Sequence, residues 1–205
     1  MYLCIDCVTL VDITAVDSDL LVRFISTDIL PPALVNAANF AEVQWYSLYT
    51  WFGDIITGQA IPGAITTITL ALLALAATHF VTLNTHALAS KQLLPAPLTW
   101  LGQLILLIGR CVPEYILAFI FLMLLGPSML PAIIALAIHN GCVIAYLAVK
   151  QSNIIAPQQM QISQLNQFNY HIMPSIYPNI MALMFYRFEI IVRETAVFGI
   201  LGIMT

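Results

Sequence analysis

Four apolar runs, each about as long as a membrane-spanning helix, follow residue 61 and constrain the fold more than any other feature. They cover approximately residues 62–83, 98–125, 129–149 and 180–200. About 20 apolar residues cross the roughly 30 Å of hydrocarbon in a bilayer. Only 8% of the residues are charged, compared with about 25% in soluble domains. The sequence therefore predicts an integral membrane protein, an all-α polytopic bundle with about four spans, with the transmembrane domain at residues 62–205.

Residues 1–61 contain no comparable run and are predicted to form an external N-terminal segment. Aromatic side chains prefer the membrane–water interface, so a group of them near the end of this segment predicts an interfacial helix: Trp45, Tyr46, Tyr49, Trp51 and Phe52. The first 54 residues also hold seven acids but one base, Arg23. Acids carry little topogenic weight, so this asymmetry favours an external location only weakly.

Neither the cysteines nor the histidines predict a metal site. Cys4 and Cys7 form a lone C-x-x-C, without a second pair or a nearby histidine, and are interpreted as incidental thiols. The four histidines lack ligand spacing and are interpreted as core or interface residues: His79, His86, His139 and His171. No phosphate-binding loop of the G-x-x-x-x-G-K-[ST] type occurs, so the chain is not expected to bind ATP through one.

Lys91 and Lys150 set the expected orientation, because Lys and Arg favour cytoplasmic loops. They follow the first and third runs, so placing both in the cytoplasm gives a consistent topology. The polar stretch 151–171 comes next, with apolar residues at helical spacing. It predicts a short amphipathic helix in a cytoplasmic loop at about residues 150–176, which Pro174 and Pro178 separate from the fourth run.

The fourth run carries four charges within eight residues, Arg187, Glu189, Arg193 and Glu194. A charge inside a membrane costs several kcal/mol unless it is paired or faces water. Glu189 and Arg193 have the favourable i, i+4 order and are expected to pair locally. Arg187 and Glu194 lie within about 20° of each other on the opposite face of the helix. They are expected to need other partners, for which Arg110 and Glu114 are the candidates.

Two interpretations of this cluster remain equally weighted. The charges are structural ion pairs that hold helices together, or they line a translocation path. With charge on two opposite faces, no face of the helix suits lipid, so protein or a hydrated path must surround it.

Several motifs resemble the permease subunits of ABC importers, specifically the phosphonate-type group. The resemblance covers roughly residues 62–205 and rests on Arg110-Cys-Val-Pro113-Glu114-Tyr-Ile-Leu-Ala118, Gly126-Pro127, Met173-Pro174-Ser-Ile-Tyr-Pro178, Tyr186-Arg187-Phe188-Glu189 and Phe198-Gly199-Ile200-Leu201-Gly202. It implies the type I importer fold, with solute moved by alternating access. It further implies a homodimer in the bacterial inner membrane, working with an ATPase that binds ATP and Mg²⁺ and with a periplasmic solute-binding protein. The chain itself is expected to be a transport subunit, not an enzyme, to hold no cofactor and to bind no nucleic acid.

The resemblance also implies that the cytoplasmic loop docks on the ATPase. The implied coupling residues are Ala156, Gln161, Ile172, Met173 and Pro174. The loop departs from the family motif, with Ile155 in place of the acid, Pro157 in place of a small residue and Gln161 in place of the glycine. An oxyanion such as phosphonate or phosphate would suit Arg110, Arg187 and Arg193.

Relative to this family the sequence is expected to lack one span before the external segment and one after the glycine-rich stretch. A fragment or truncated product is favoured over a compact functional variant. Two rival functions stay open: a non-transporting membrane protein whose charges hold helices together, and a membrane-embedded hydrolase, for which no nucleophile is apparent.

Overall fold

A computed structural model describes residues 18–31, 34, 45–155 and 163–200, and these ranges contain helices and connecting turns without a β-strand. The chain divides into two compact units, Met1–Gly63 and Ala64–Thr205. From the sequence, the boundary between the external segment and the transmembrane domain was predicted after residue 61. Cys4, Cys7, Ala156 and Gln161 lie outside the described residues.

In the part of the first unit that the structure describes, two helices are each extended by a π-helical turn. Helix α1 (Ser18–Arg23) continues into the turn Phe24–Asp28. Helix α2 (Trp45–Ile55) continues into the turn Ile56–Ala60 and buries none of its residues. The aromatic segment is thus helical, and its position at the membrane interface stays a prediction.

Six helices follow: α3 (Ile61–Ala89), α4 (Ala96–Cys111), α5 (Glu114–Leu125), α6 (Leu130–Ser152), α7 (Gln164–Gln167) and α8 (Met173–Ile200). In the second unit, α6 is the central element, because it packs against α4, α5 and α8. Pro131 lies in its first turn, where a missing N–H costs no hydrogen bond. The all-α transmembrane fold expected from the sequence is confirmed.

By length and apolar composition, two helical stretches of the described residues qualify as membrane spans, Trp45–Ala89 and Leu130–Ser152. Helices α4 and α5 together qualify as a third, although they meet at 94°. Helix α8 has 28 residues, and its four charges set it apart from these apolar stretches. The sequence had predicted about four spans, with α8 as the last.

The predicted second run is broken rather than continuous. Pro113 precedes α5 and Val112 takes an extended conformation, with φ −80° and ψ 121°. A proline ring disfavours helical backbone in the residue before it, so the chain turns at this point. Gly126, at φ 78°, ends α5.

The predicted separation of the amphipathic helix from the fourth run is wrong. From Gln164 to Ile200 the backbone is helical throughout, with the π-helical turn Phe168–Ile172 joining α7 to α8. In that turn the Met173 N–H reaches back to the Phe168 carbonyl. The wider turn accommodates Pro174, which has no N–H to donate, and Pro178 lies inside α8.

Close helix contacts in the second unit depend on small residues. A Cβ placed on Gly102 of α4 would lie 2.5 Å from the Leu88 carbonyl oxygen and 2.9 Å from the Ala89 Cα. One on Gly141 of α6 would lie 2.7 Å from a methyl of Val81. Small side chains at such positions let helix backbones approach closely, which is a main source of association in membranes.

We expect Gly102→Ala to destabilise the protein by about 1–3 kcal/mol, because the added methyl meets backbone atoms that cannot rotate away. The loss of folded, monodisperse protein on heating in detergent measures the effect. Gly53→Ala is the control, since a Cβ on Gly53 of α2 meets nothing within 4 Å. An unchanged melting temperature for Gly102→Ala would contradict the close contact.

Candidate functional site

The four charges of α8 separate into an exposed pair and a buried group. Arg193 Nη2 lies 2.9 Å from Glu189 Oε1, and the two side chains are 73% and 72% exposed. This is the i, i+4 pair that the spacing predicts. An exposed pair of this kind contributes about 0–1 kcal/mol in water, so it does little to hold the subunit together.

Arg187 points to the opposite side of α8 and binds α6. Its Nη1 donates to Asn140 Oδ1 at 3.1 Å. Asn140 is completely buried, and its Nδ2 donates to the Leu136 carbonyl at 3.1 Å. Both ends of the amide are therefore used, which fixes its oxygen toward the guanidinium. The sequence analysis missed Asn140, although an amide within an apolar run was a usable signal.

Glu114 and His139 join α5 to α6. His139 Nδ1 lies 2.9 Å from the Val112 carbonyl oxygen, and Nε2 lies 3.4 Å from Glu114 Oε2. A carbonyl oxygen only accepts, so Nδ1 carries a proton and donates. The contact between Nε2 and the Glu114 carboxyl group therefore connects α5 to α6.

Glu194 completes the group. Its side chain is only 8% exposed, and Oε2 has no hydrogen-bond partner among the described residues. It interacts electrostatically with Glu114, Asn140 and Arg187. We name these five residues the polar cluster: Glu114, His139, Asn140, Arg187 and Glu194.

The expectation that Arg110 pairs with this group is wrong, whereas Glu114 does lie beside Glu194. The Arg110 Cζ lies 3.9 Å from the centre of the Tyr146 ring. Helix α4 ends one residue after Arg110, and the 94° bend separates its direction from that of α5. Arg110 and Glu114 are therefore directed to different sites. The arginines at 110, 187 and 193 accordingly do not converge on one anion site.

The described coupling residues lie where the π-helical turn meets α8. Ile172 is buried and packs with Ile176 and Ile180, Met173 is partly buried and Pro174 is exposed. The preceding helix α7 starts at Ser163, whose Oγ accepts from the Asn166 N–H at 3.4 Å. Leu165 and Tyr170 point outward, whereas Phe168 stacks on His86 with ring centres 5.5 Å apart. The segment is amphipathic, as the sequence predicts.

Within the ranges that the structure describes, no three His, Cys, Asp or Glu side chains come together as metal ligands. The polar cluster is a set of polar groups that join α5, α6 and α8 and offset one another's charge inside an apolar bundle.

Comparison with known proteins confirms the resemblance to ABC transporter permeases. The chain is 24% identical to the phosphate-import permease protein PhnE of Mycolicibacterium smegmatis, over 205 residues that cover 90% of this chain and 38% of that protein. The crystal structure of an amino acid ABC transporter with histidines superposes with a TM-score of 0.58 at 18% identity, covering 78% of this chain and 77% of that one. No family model matches the chain. The chain has the fold of an ABC transporter permease and spans 38% of the length of the curated relative.

We expect Asn140→Leu to destabilise the protein by about 1.5–3 kcal/mol, because Arg187 loses the acceptor of a buried charged hydrogen bond. Thermal unfolding in detergent, followed by size-exclusion chromatography, gives the difference. Arg193→Gln is the matched control, since it breaks an exposed pair, with an expected change below about 1 kcal/mol. Equal losses in the two variants would show that burial of the cluster does not stabilise the fold.

Proposed function

We propose that this chain is the permease subunit of an ABC importer in a bacterial inner membrane. It moves a solute by alternating access and leaves ATP and Mg²⁺ to a separate ATPase chain. The observation that carries the proposal is the alignment with a phosphate-import permease over 90% of this chain. The permease fold of the solved amino acid transporter supports it independently.

The proposed solute is phosphate, a phosphonate or a related oxyanion. Its support is the name of the relative, which imports phosphate. The three arginines give little further support to an oxyanion as the solute, because each already has a partner. Arg187 binds Asn140, Arg193 pairs with Glu189, and Arg110 stacks on Tyr146. In this proposal the solute pathway is completed by a second copy of the chain, and a periplasmic binding protein delivers the solute.

Residues 163–174 are the proposed contact for the ATPase. The loop that carries Lys91 lies beside the end of α6, since Gln92 Nε2 donates to the Ser152 carbonyl at 2.9 Å. Lys91 and Lys150 therefore belong to the same end of the bundle, as two cytoplasmic lysines should. Residues 163–174 follow α6 after a short connection. They anchor through buried Phe168 and Ile172, and present Leu165 and Tyr170 outward.

Reconstitution tests the function. The full chain is placed in proteoliposomes with the proposed ATPase subunit and binding protein, and uptake of phosphate and methylphosphonate is measured with and without ATP. We expect ATP-dependent uptake of one of them and solute-stimulated ATP hydrolysis. An assembled complex that hydrolyses ATP without responding to either solute would reject the oxyanion, and failure to bind any ATPase would reject the permease.

We expect Tyr170→Ala to weaken binding of the ATPase subunit by roughly tenfold, because exposed aromatic side chains often dominate such interfaces. Pull-down titration of the purified chain gives the affinity. Tyr186→Ala is the matched control, since the same substitution removes a side chain that is 63% exposed on α8, compared with 81% for Tyr170. Equal binding by both variants would exclude Tyr170 from the coupling surface.

A further inference from the structure

Three of the six lysines and arginines of the chain converge on one cavity between α4 and α6. The cavity has a volume of about 370 Å³, and its cationic lining residues are Lys91, Arg110 and Lys150. Polar Gln103, Tyr146 and Asn153 line it together with Leu106 and Leu107. We name it the basic pocket. It lies apart from the polar cluster, with which it shares no residue.

Two of these cations meet on a single ring. The Arg110 Cζ is 3.9 Å from the centre of Tyr146, and Lys150 Nζ is 4.8 Å from the same point. Lys150 comes one helical turn after Tyr146, whereas Arg110 lies in the last turn of the neighbouring helix α4. A long basic side chain that starts inside a membrane extends toward the polar interface, so Arg110 reaches out to the level of Lys150.

No acid of the second unit compensates this charge. Residues 64–205 contain three acids, Glu114, Glu189 and Glu194. Glu189 pairs with Arg193, and the other two belong to the polar cluster. Like charges that converge in a medium of low dielectric constant repel one another, and the face of Tyr146 offsets only a part of this. Within residues 64–205, no acidic side chain therefore pairs with the cations of the pocket.

The surroundings of the pocket indicate what kind of anion fits. A second cavity of about 370 Å³ adjoins it through Lys91 and Gln103 and is lined by Trp100. Tryptophan is typical of the headgroup level of a bilayer. Beside Arg110, Leu107 and Ile108 of α4 are exposed to 47% and 56%. An occupant with both a negative headgroup and apolar chains would use the cations and this apolar surface together.

We infer that the basic pocket binds the headgroup phosphate of an anionic phospholipid, with the acyl chains along the exposed apolar side of α4. Lys91 and Lys150 contact the headgroup from the interface, and Arg110 binds the phosphate from the membrane side. Basic pockets between transmembrane helices on the cytoplasmic side are suited to such headgroups. A free phosphate ion would satisfy the cations but would leave the leucine-lined wall without a partner.

The test uses the purified full chain in a neutral detergent, with phosphatidylglycerol, phosphatidylcholine and inorganic phosphate added separately. Native mass spectrometry gives the apparent affinity for each lipid, and thermal unfolding gives the stabilisation by all three. We expect phosphatidylglycerol to bind and stabilise, phosphatidylcholine to bind at least tenfold more weakly, and inorganic phosphate to have no effect at millimolar concentration.

The double variant Lys91→Gln with Lys150→Gln should lower the affinity for phosphatidylglycerol about 30-fold, roughly fivefold for each lysine. Both side chains are exposed, so the fold is expected to persist. Arg193→Gln is the control, because it removes one cation far from the pocket in sequence and should keep the affinity. Arg110→Gln should weaken lipid binding as well, and Arg110→Lys should restore most of it.

Three results would overturn the proposal. Equal binding of the two lipids would show that the surface takes any phospholipid. An equal loss in Arg193→Gln and the double variant would show a response to net charge alone. Stabilisation by inorganic phosphate that the double variant abolishes would assign the pocket to a free anion. None of these results bears on transport, so the inference stands or falls separately from the permease function.

Discussion

Charge inside an apolar bundle is the constraint on which the rest of this structure depends. The interior between the helices has a low dielectric constant, so a buried ionic group needs a partner to offset the cost of its desolvation. Arg187 finds Asn140, and Glu114 finds His139. These partners come from α5, α6 and α8, so satisfying the charges also fixes how the three helices lie against one another. Small residues on α6 allow the approach, since Ala132, Ala135 and Gly141 leave space for the neighbouring helices.

The sequence predicted those features that depend on local spacing. The Glu189–Arg193 contact follows from an i, i+4 interval between a glutamate and an arginine. The resemblance to ABC permeases could also be recognised from the sequence, because it rests on short motifs that follow one another in a given order. The aromatic group and the apolar runs were sufficient to predict helices in these segments.

The sequence did not predict which charges meet across helices. Arg110 was expected to be a partner for the charges of α8, but a two-residue break between α4 and α5 places it at Tyr146, while Glu114 lies in the polar cluster. Asn140 was overlooked because a single amide hardly changes the apolarity of its run. The prolines at 174 and 178 led to the wrong prediction of a break for another reason. A π-helical turn accommodates Pro174, and Pro178 lies inside α8, so tertiary packing overrode the helix-breaking tendency of the prolines.

One continuous helical path links the proposed ATPase contact to the polar cluster. Tyr170 and Arg187 are 17 residues apart, about 25 Å at the rise of an α-helix, and the backbone between them is helical throughout. Pro178 lies between the two, where its missing hydrogen bond permits bending. A movement imposed at the exposed end would reach Arg187 as a shift against Asn140. A change in the position of α8 along α6 would break this partly buried contact. In the proposed transport function, such a change is how a movement at the cytoplasmic end would open one side of the bundle and close the other.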